Sequence, residues 1–402
     1  MTTSLNFLAS LDFHSALLLF WCVILFDIPR YFVSTMVLAF MPPDKLPSRR
    51  YSTSAVIAGH NESAAWRRCV ESLRDIDQVI VVDDGSTDGS VAVIDELLFE
   101  GLIQEAIFLP IRSSKIEATN SGLKRATGEI VFIIDADTIL DGQAVTNALK
   151  RFGDPTIGAV ACNLEPANAL ATLTTRVQAI EYALAITAGK QMSDALGILA
   201  NISGAFGAFR REALESVGYL DMEVAEDAAL SMKLRRAGWK FRFAPDAIGR
   251  TIVPETMLGL MLQRVRWDSS LITIYWRKFC GMLNPFRGDF RLSNALTIID
   301  VLWFNAVLPL TTPIYIVWLY LRIGEFTWTV LLAIAITLAA MELVILFMVG
   351  VPGRLLPYIP LYSVIQNLVM RPVRILTIVA EMVFMISRHD DYIPYHQRCK
   401  LS

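Results

Sequence analysis

The chain has 402 residues, 54% of them apolar, and a mean hydropathy of +0.47. That is too hydrophobic for an ordinary soluble protein but not apolar throughout, so membrane spans and a polar domain must share it. A formal net charge of −3 without a long run of one sign gives no electrostatic reason for a nucleic-acid partner. The five scattered cysteines, with no CxxC, argue against a disulfide framework or a zinc site and fit a reducing compartment.

The first apolar stretch, 16–40, has roughly the ~20 residues a bilayer crossing needs, although Asp27, Pro29 and Arg30 interrupt it. No basic segment precedes it and no small-residue cleavage site follows, so it reads as a retained anchor. Arg30, Lys45, Arg49 and Arg50 come at or after it, which by the positive-inside bias places the next domain in the cytoplasm. A lone charge inside a span is costly, so Asp27 is expected to pair with Arg30.

From about 51 to 247 short β-branched runs alternate with amphipathic segments, the pattern of an α/β domain with a mostly parallel sheet. The strand candidates are 53–58, 78–84, 129–135, 157–164 and 203–210. Helices are expected over 112–129, with Arg112 and Lys115 near the start, and over 225–239, where Leu230, Leu234 and Ala237 share a face.

Beyond 247 the chain turns amphipathic and then apolar. The stretches 296–321 and 327–349 each suit one span, and a third, 355–387, is broken by "MRPVR" into either one kinked span or two interfacial pieces. Arg388, Arg398 and Lys400 favour a cytoplasmic C-terminus. The chain thus divides into an N-terminal anchor (1–42), an α/β domain (43–250), amphipathic interface helices (251–295), transmembrane or interfacial helices (296–387) and a short tail (388–402).

Chemistry concentrates at strand ends. "VVDDGSTDGS" (81–90) brings Asp83 and Asp84 to the end of a strand, where a carboxylate pair can accept hydrogen bonds from a base N–H or ribose hydroxyls. A turn with an N-cap accounts for the same residues. "IIDADT" (133–138) places Asp135 and Asp137 where both can face one divalent ion whose other ligands are water and diphosphate oxygens, a habit of Mg²⁺. "AEDAALSMKLRRAGW" (225–239) opens a helix with Glu226 and Asp227; the helix dipole favours carboxylates there, and Asp227 is also suited to be a general base. "LGLMLQRVRWDSS" (258–270) puts Gln263, Arg264, Arg266 and Trp267 just ahead of the membrane-rich region, as an interfacial helix with a lipid-facing Trp would.

"DDGSTD", "DAD", "ED" before an amphipathic helix, "QRVRW" and then membrane spans, in this order, resemble the membrane-embedded family 2 glycosyltransferases. These include the cellulose, chitin, hyaluronan and poly-N-acetylglucosamine synthases. The resemblance covers about 50–270 by motif, and "ISGAFGAFRREALESVGYLD" and "VPETMLGLMLQRVRW" look closest to the poly-N-acetylglucosamine synthases. Ala225 stands where Thr is common, and "DSSL" follows Trp267 where that subgroup has Ala-Gln-Gly-Gly.

The resemblance implies a GT-A-like (Rossmann-like) cytoplasmic domain inserted between transmembrane helices, inverting transfer from a UDP-sugar to a growing glycan acceptor, and passage of that glycan through the lipid bilayer. It assigns Asp84, with Asp83 beside it, to the uridine, and "AGHNE" (58–62), including Ala58, Asn61 and Glu62, to the nucleotide pocket. Lys115 falls near the diphosphate. Asp137, helped by Asp135, holds Mg²⁺ or Mn²⁺. Asp227 is the base, next to Glu226. Ser203 and Gly204 fall on the acceptor side, and Gln263, Arg266 and Trp267 are the QxxRW residues, which leaves Arg264 on a variable position.

Physics supports that allocation: a metal with Arg266 and Lys115 neutralises the leaving diphosphate, and Trp267 offers a flat face to the acceptor sugar. A single-transfer enzyme acting on a membrane lipid, like the ceramide glucosyltransferases, is the competing enzyme class. A non-catalytic scaffold is disfavoured by intact Asp84, Asp137, Asp227 and Gln263. Only about fifteen residues follow the last apolar segment, so control is expected from a separate accessory or regulatory subunit rather than a built-in sensor.

Overall fold

The computed structural model describes residues 2–40 and 50–389; Lys45, Arg49 and the tail residues Arg398 and Lys400 lie outside the described residues. Its centre is an eight-stranded sheet: β1 (Thr53–Gly59), β2 (Gln78–Asp83), β3 (Glu105–Phe108), β4 (Ile130–Asp135), β5 (Ile139–Leu140), β6 (Ile157–Pro166), β7 (Phe206–Arg210) and β8 (Lys240–Thr251). Their order across the sheet is β3-β2-β1-β4-β7-β6-β8-β5.

β1 is the clearest case of sequence dictating place. Helices cover both faces of the sheet, and "SAVI" is buried on both, as a central parallel strand requires. Successive side chains feed two different cores. Ile57, Phe132, Phe206 and Trp66 fill one, while Val56, Ile80, Phe209, Phe243 and Leu230 fill the other. β1 pairs in parallel with β2 and β4, with Gly59 opposite Asp83 and Ala58 opposite Asp135. The two acidic strand ends therefore emerge side by side.

All five strand candidates form, and the sheet is mixed: the β1·β2, β1·β4, β2·β3 and β6·β8 pairings are parallel, as a mostly parallel sheet requires, while β7 runs antiparallel to both β4 and β6, and β5 antiparallel to β8. β7 starts at Phe206, so 203–205 belong to a loop and not to the strand expected over 203–210. β3, β5 and β8 were not legible in the pattern. β8 carries Pro245, which cannot donate to a ladder, and the register against β6 shifts there from Cys162↔Ala244 to Asn163↔Ile248. The helix expected over 112–129 is shorter, Lys115–Leu123, capped by the Ser114 hydroxyl accepting from the Glu117 N–H.

Three described helices are long and apolar enough to cross a membrane: Phe13–Phe40, Leu292–Ile323 and Phe326–Met348. The third apolar region is helical from Ile359 to Phe384, with a widened turn at Gln366–Met370, and is not one of the three. Its charges are used for docking: Arg374 donates to Asp268 (3.0 Å), and Arg277 to Glu381 (2.6 Å). The expected Asp27–Arg30 pair gives way to a contact between helices, since Arg30 reaches Asp300 at 2.8 Å and lies over the Phe304 ring.

Candidate functional site

The site grows from the ends of β1, β2 and β4. β1 ends at Gly59, where a Cβ would stand 2.7 Å from the Trp66 ring, so the strand end has no room for a side chain. After β2 the chain turns at Gly85, whose φ of +67° and approach to the backbone of Ile111 and Arg112 leave no room for a side chain. Asp84 is buried at this turn and accepts from the Ser113 N–H (2.6 Å) and hydroxyl (2.8 Å). Its carbonyl accepts from His60 Nδ1 at 2.8 Å, and its N–H donates to the Gly59 carbonyl. Asp83 Oδ2 accepts from the Ser86 N–H, while Oδ1 is buried with no partner among the described residues.

Across the strand ends stand Asp135 and Asp137. Lys115 Nζ lies 2.5 Å from Asp135 and 3.7 Å from Glu226, joining the metal-type carboxylates to the helix Glu226–Ala237. Asp137 accepts from the Thr251 hydroxyl at the end of β8. Burial, reinforced by Asp135, pushes the Asp137 carboxyl above its ordinary range. Burial and then Asp137 and Asp135 do the same to Glu62, and burial does it to Glu226. Such a cluster of crowded carboxylates favours a bound cation.

Asp227 sits in the first turn of its helix. Oδ2 accepts from Asn201 Nδ2 (3.2 Å) and the Gly204 N–H (3.4 Å), and Oδ1 from the Ala228 N–H (2.7 Å). Lys190, from the helix Gly189–Ala195, donates to the Ser203 hydroxyl at 2.6 Å in the same loop.

Of the residues expected from sequence, Ala58, Glu62, Asp84, Lys115, Asp135, Asp137 and Arg266 line one cavity of about 350 Å³, together with Arg112 and His60. Gln263 lines a second cavity of about 500 Å³ with Val224 and Pro254, and Arg266 faces both. Glu226, Asp227, Gly204 and Lys115 share a narrow cleft beside them. Four expected contributors stand outside these cavities. Asn61 is tied to the 86–87 turn through Ser86 and Thr87, Asp83 is buried at the end of β2, Trp267 is 42% exposed beneath Arg264, and Ser203, between the cleft residues Ile202 and Gly204, is held by Lys190. A larger cavity of about 900 Å³, between β6, β8 and the ends of two apolar helices, contains none of the expected residues.

Arg264 is not a bystander. It is buried, pairs with Glu181 at 2.7 Å, donates to Gln263 Oε1 at 3.2 Å and lies 4.2 Å from the Trp267 ring centre. Thr251, Asn201 and Lys190 also escaped the sequence reading. Only Lys190 carried a local signal, as the one charged residue in the run 182–193.

Residues 50–270 match the family described as glycosyltransferase like family 2, and the chain belongs to that family. Over 235 residues, 58% of this chain and 56% of the relative, it is 33% identical to the poly-beta-1,6-N-acetyl-D-glucosamine synthase of Staphylococcus aureus (strain COL). It is 30% identical over 261 residues, 63% of each chain, to the Staphylococcus epidermidis synthase of the same description. The chain thus spans less than two thirds of the length of these curated relatives. Among solved structures, the mannosyltransferase PcManGT from Pyrobaculum calidifontis, in complex with GDP-Man and Mn²⁺, matches with a TM-score of 0.59 at 21% identity. That match covers 87% of this chain and 99% of PcManGT, a likeness in fold, and the fold is GT-A.

Proposed function

We propose that the chain is an inverting, processive transferase that takes N-acetylglucosamine from its UDP derivative and extends a β-linked polysaccharide, with its catalytic face in the cytoplasm of a bacterial cell. The observation that carries this reading is convergence. Carboxylates from four separate segments, Glu62, Asp84, Asp135 with Asp137, and the Glu226–Asp227 pair, meet around one charged cavity and its adjoining cleft, and Arg266 bridges from it to the cavity lined by Gln263. The synthase relatives favour N-acetylglucosamine as the sugar.

The parts divide the work. Asp83, with its unpartnered Oδ1, and Asp84 suit the uridine, since a buried acceptor without a donor is costly until a base N–H arrives. Asp137 and Asp135 line the cavity together and would hold a divalent ion with water and diphosphate completing its shell. Mg²⁺ or Mn²⁺ bound there supplies charge neutralisation for the departing diphosphate. Arg112, Lys115 and Arg266 add fixed positive charge on the same cavity. Asp227 accepts the proton of the acceptor hydroxyl as its oxygen attacks the anomeric carbon and the bond to the diphosphate breaks. The two apolar helices after the catalytic region, with Phe13–Phe40 before it, hold the enzyme in the bilayer.

Offering UDP-glucose, UDP-N-acetylglucosamine and UDP-glucuronate separately to the purified protein, then digesting the product with linkage-specific hydrolases, tests this. A β-linked N-acetylglucosamine polymer is expected. A single sugar on an extractable lipid would refute processive synthesis.

A further inference from the structure

We infer that Lys190 is a positioning residue for transfer: its ammonium holds the Ser203 hydroxyl, and through the 201–204 loop sets Asp227 and the acceptor sugar against each other. The inference rests on the glycosyl-transfer reading above. Lys190 Nζ donates to Ser203 Oγ at 2.6 Å, and Ser203 lies one residue from Gly204, whose N–H donates to Asp227 Oδ2. The far side of the loop is pinned as well. The Ile202 N–H donates to the Ser231 hydroxyl (2.9 Å), and Asn201 to the same Asp227 oxygen.

The arrangement leaves chemistry to spare. Ser203 accepts from the ammonium with a lone pair, and among the described residues its own proton has no acceptor. That proton is available to an oxygen of the acceptor sugar, which a charge-assisted donor behind it makes a better donor in turn. A lysine serving only as packing would have no need to place its ammonium on the loop whose Asn201 and Gly204 hold the base.

The charge that reaches Lys190 is Asp227, from the helix Glu226–Ala237; the Cys162 thiol on β6 also faces it, but burial pushes that thiol up and keeps it neutral. Groups on elements packed against its own helix are occupied elsewhere: Arg30 with Asp300, Tyr31 with Glu342, and Arg242 with Asp194. Burial lowers the ammonium to about 8, with Asp227 opposing the shift. Because the folded value lies below the unfolded one, the unfolded chain binds more protons between the two, so the contribution of Lys190 to stability rises with pH across that window. Activity is expected to fall across the same window as the charge-assisted donor is lost.

The test is the pH dependence of turnover in the full-length enzyme in detergent, with thermal unfolding and UDP binding measured alongside. Wild-type turnover should decline above about pH 8 while the fold holds. Lys190→Arg, which stays charged, should remove that alkaline decline. Lys190→Met should lose about 10- to 100-fold in kcat at neutral pH with UDP binding retained. Ser203→Ala leaves the lysine in place and should show the same loss without the decline, which keeps the test open if the lysine variants unfold. Wild-type kcat and an unchanged alkaline limb in Lys190→Met or Ser203→Ala would overturn the inference. A wild-type enzyme that transfers no sugar from any donor would instead defeat the glycosyl-transfer reading beneath it.

Discussion

Asp227 is held by three donors, the Asn201 amide and the Gly204 and Ala228 N–H groups, and none of them belongs to the nucleotide cavity. Asp227→Asn should therefore abolish transfer while UDP affinity, measured by calorimetry, stays within about threefold, a difference of under about 1 kcal/mol. Wild-type turnover in that variant would refute its role as base. Asp137 is the opposite case, a carboxylate whose environment disfavours its charge. With its folded value raised above the unfolded one, its contribution to stability is present below the ordinary carboxylate range and is lost as pH rises through the folded value. A divalent cation binds the ionised form, so the rise in Tm on adding Mn²⁺ should grow as pH is raised from the ordinary carboxylate range towards neutrality, and Asp137→Ala should erase it. At this scale the acidic residues were readable because Asp83, Asp84 and Asp135 close apolar runs and Glu226 with Asp227 opens an amphipathic helix. Thr251 and Asn201 were not, since their partners lie 114 and 26 positions away and only the fold brings them in.

Elements explain both what was legible and what was missed. β1, β2 and β4 are continuous apolar runs ending in Gly or Asp, so their parallel pairing and the position of the site could be anticipated. β8 mixes Lys240, Arg242, Pro245 and Asp246 with apolar residues, and no period of two survives its bulge. The helix Met257–Ser270 gave up its motif but not its fastening, because Glu181, which pairs with Arg264 beside Trp267, lies 83 positions away in the chain. Removing the cation leaves Glu181 without its partner in a poorly hydrated site. Arg264→Met should destabilise the protein by about 3–5 kcal/mol, and Glu181→Gln with Arg264→Met should recover part of that loss. The departure after Trp267 has a local reason too, since Asp268 is buried against Arg374 and Ser269 is buried beside it. Gly59→Ala should cost about 1–3 kcal/mol by forcing the Trp66 ring aside, read from the denaturant midpoint.

The whole molecule joins a GT-A domain to apolar helices through paired polar groups rather than a loose linker. Arg235 is buried where it donates to Asn294 and to the carbonyls of Leu199 and Ser293, so the start of the helix Leu292–Ile323 is locked to the helix that carries Asp227. Arg374 with Asp268 and Arg277 with Glu381 fasten the last long helix to the segment that follows QxxRW. Apolar length made the three candidate spans readable, but nothing in hydropathy indicates which charge meets which. The central claim is that the converged carboxylates run a cation-assisted sugar transfer. Its most direct test is the incorporation of radiolabelled N-acetylglucosamine from its UDP derivative by purified protein in detergent, with and without EDTA. The account predicts labelled polymer that disappears with EDTA and returns when Mg²⁺ or Mn²⁺ is restored, and full incorporation in EDTA would contradict it.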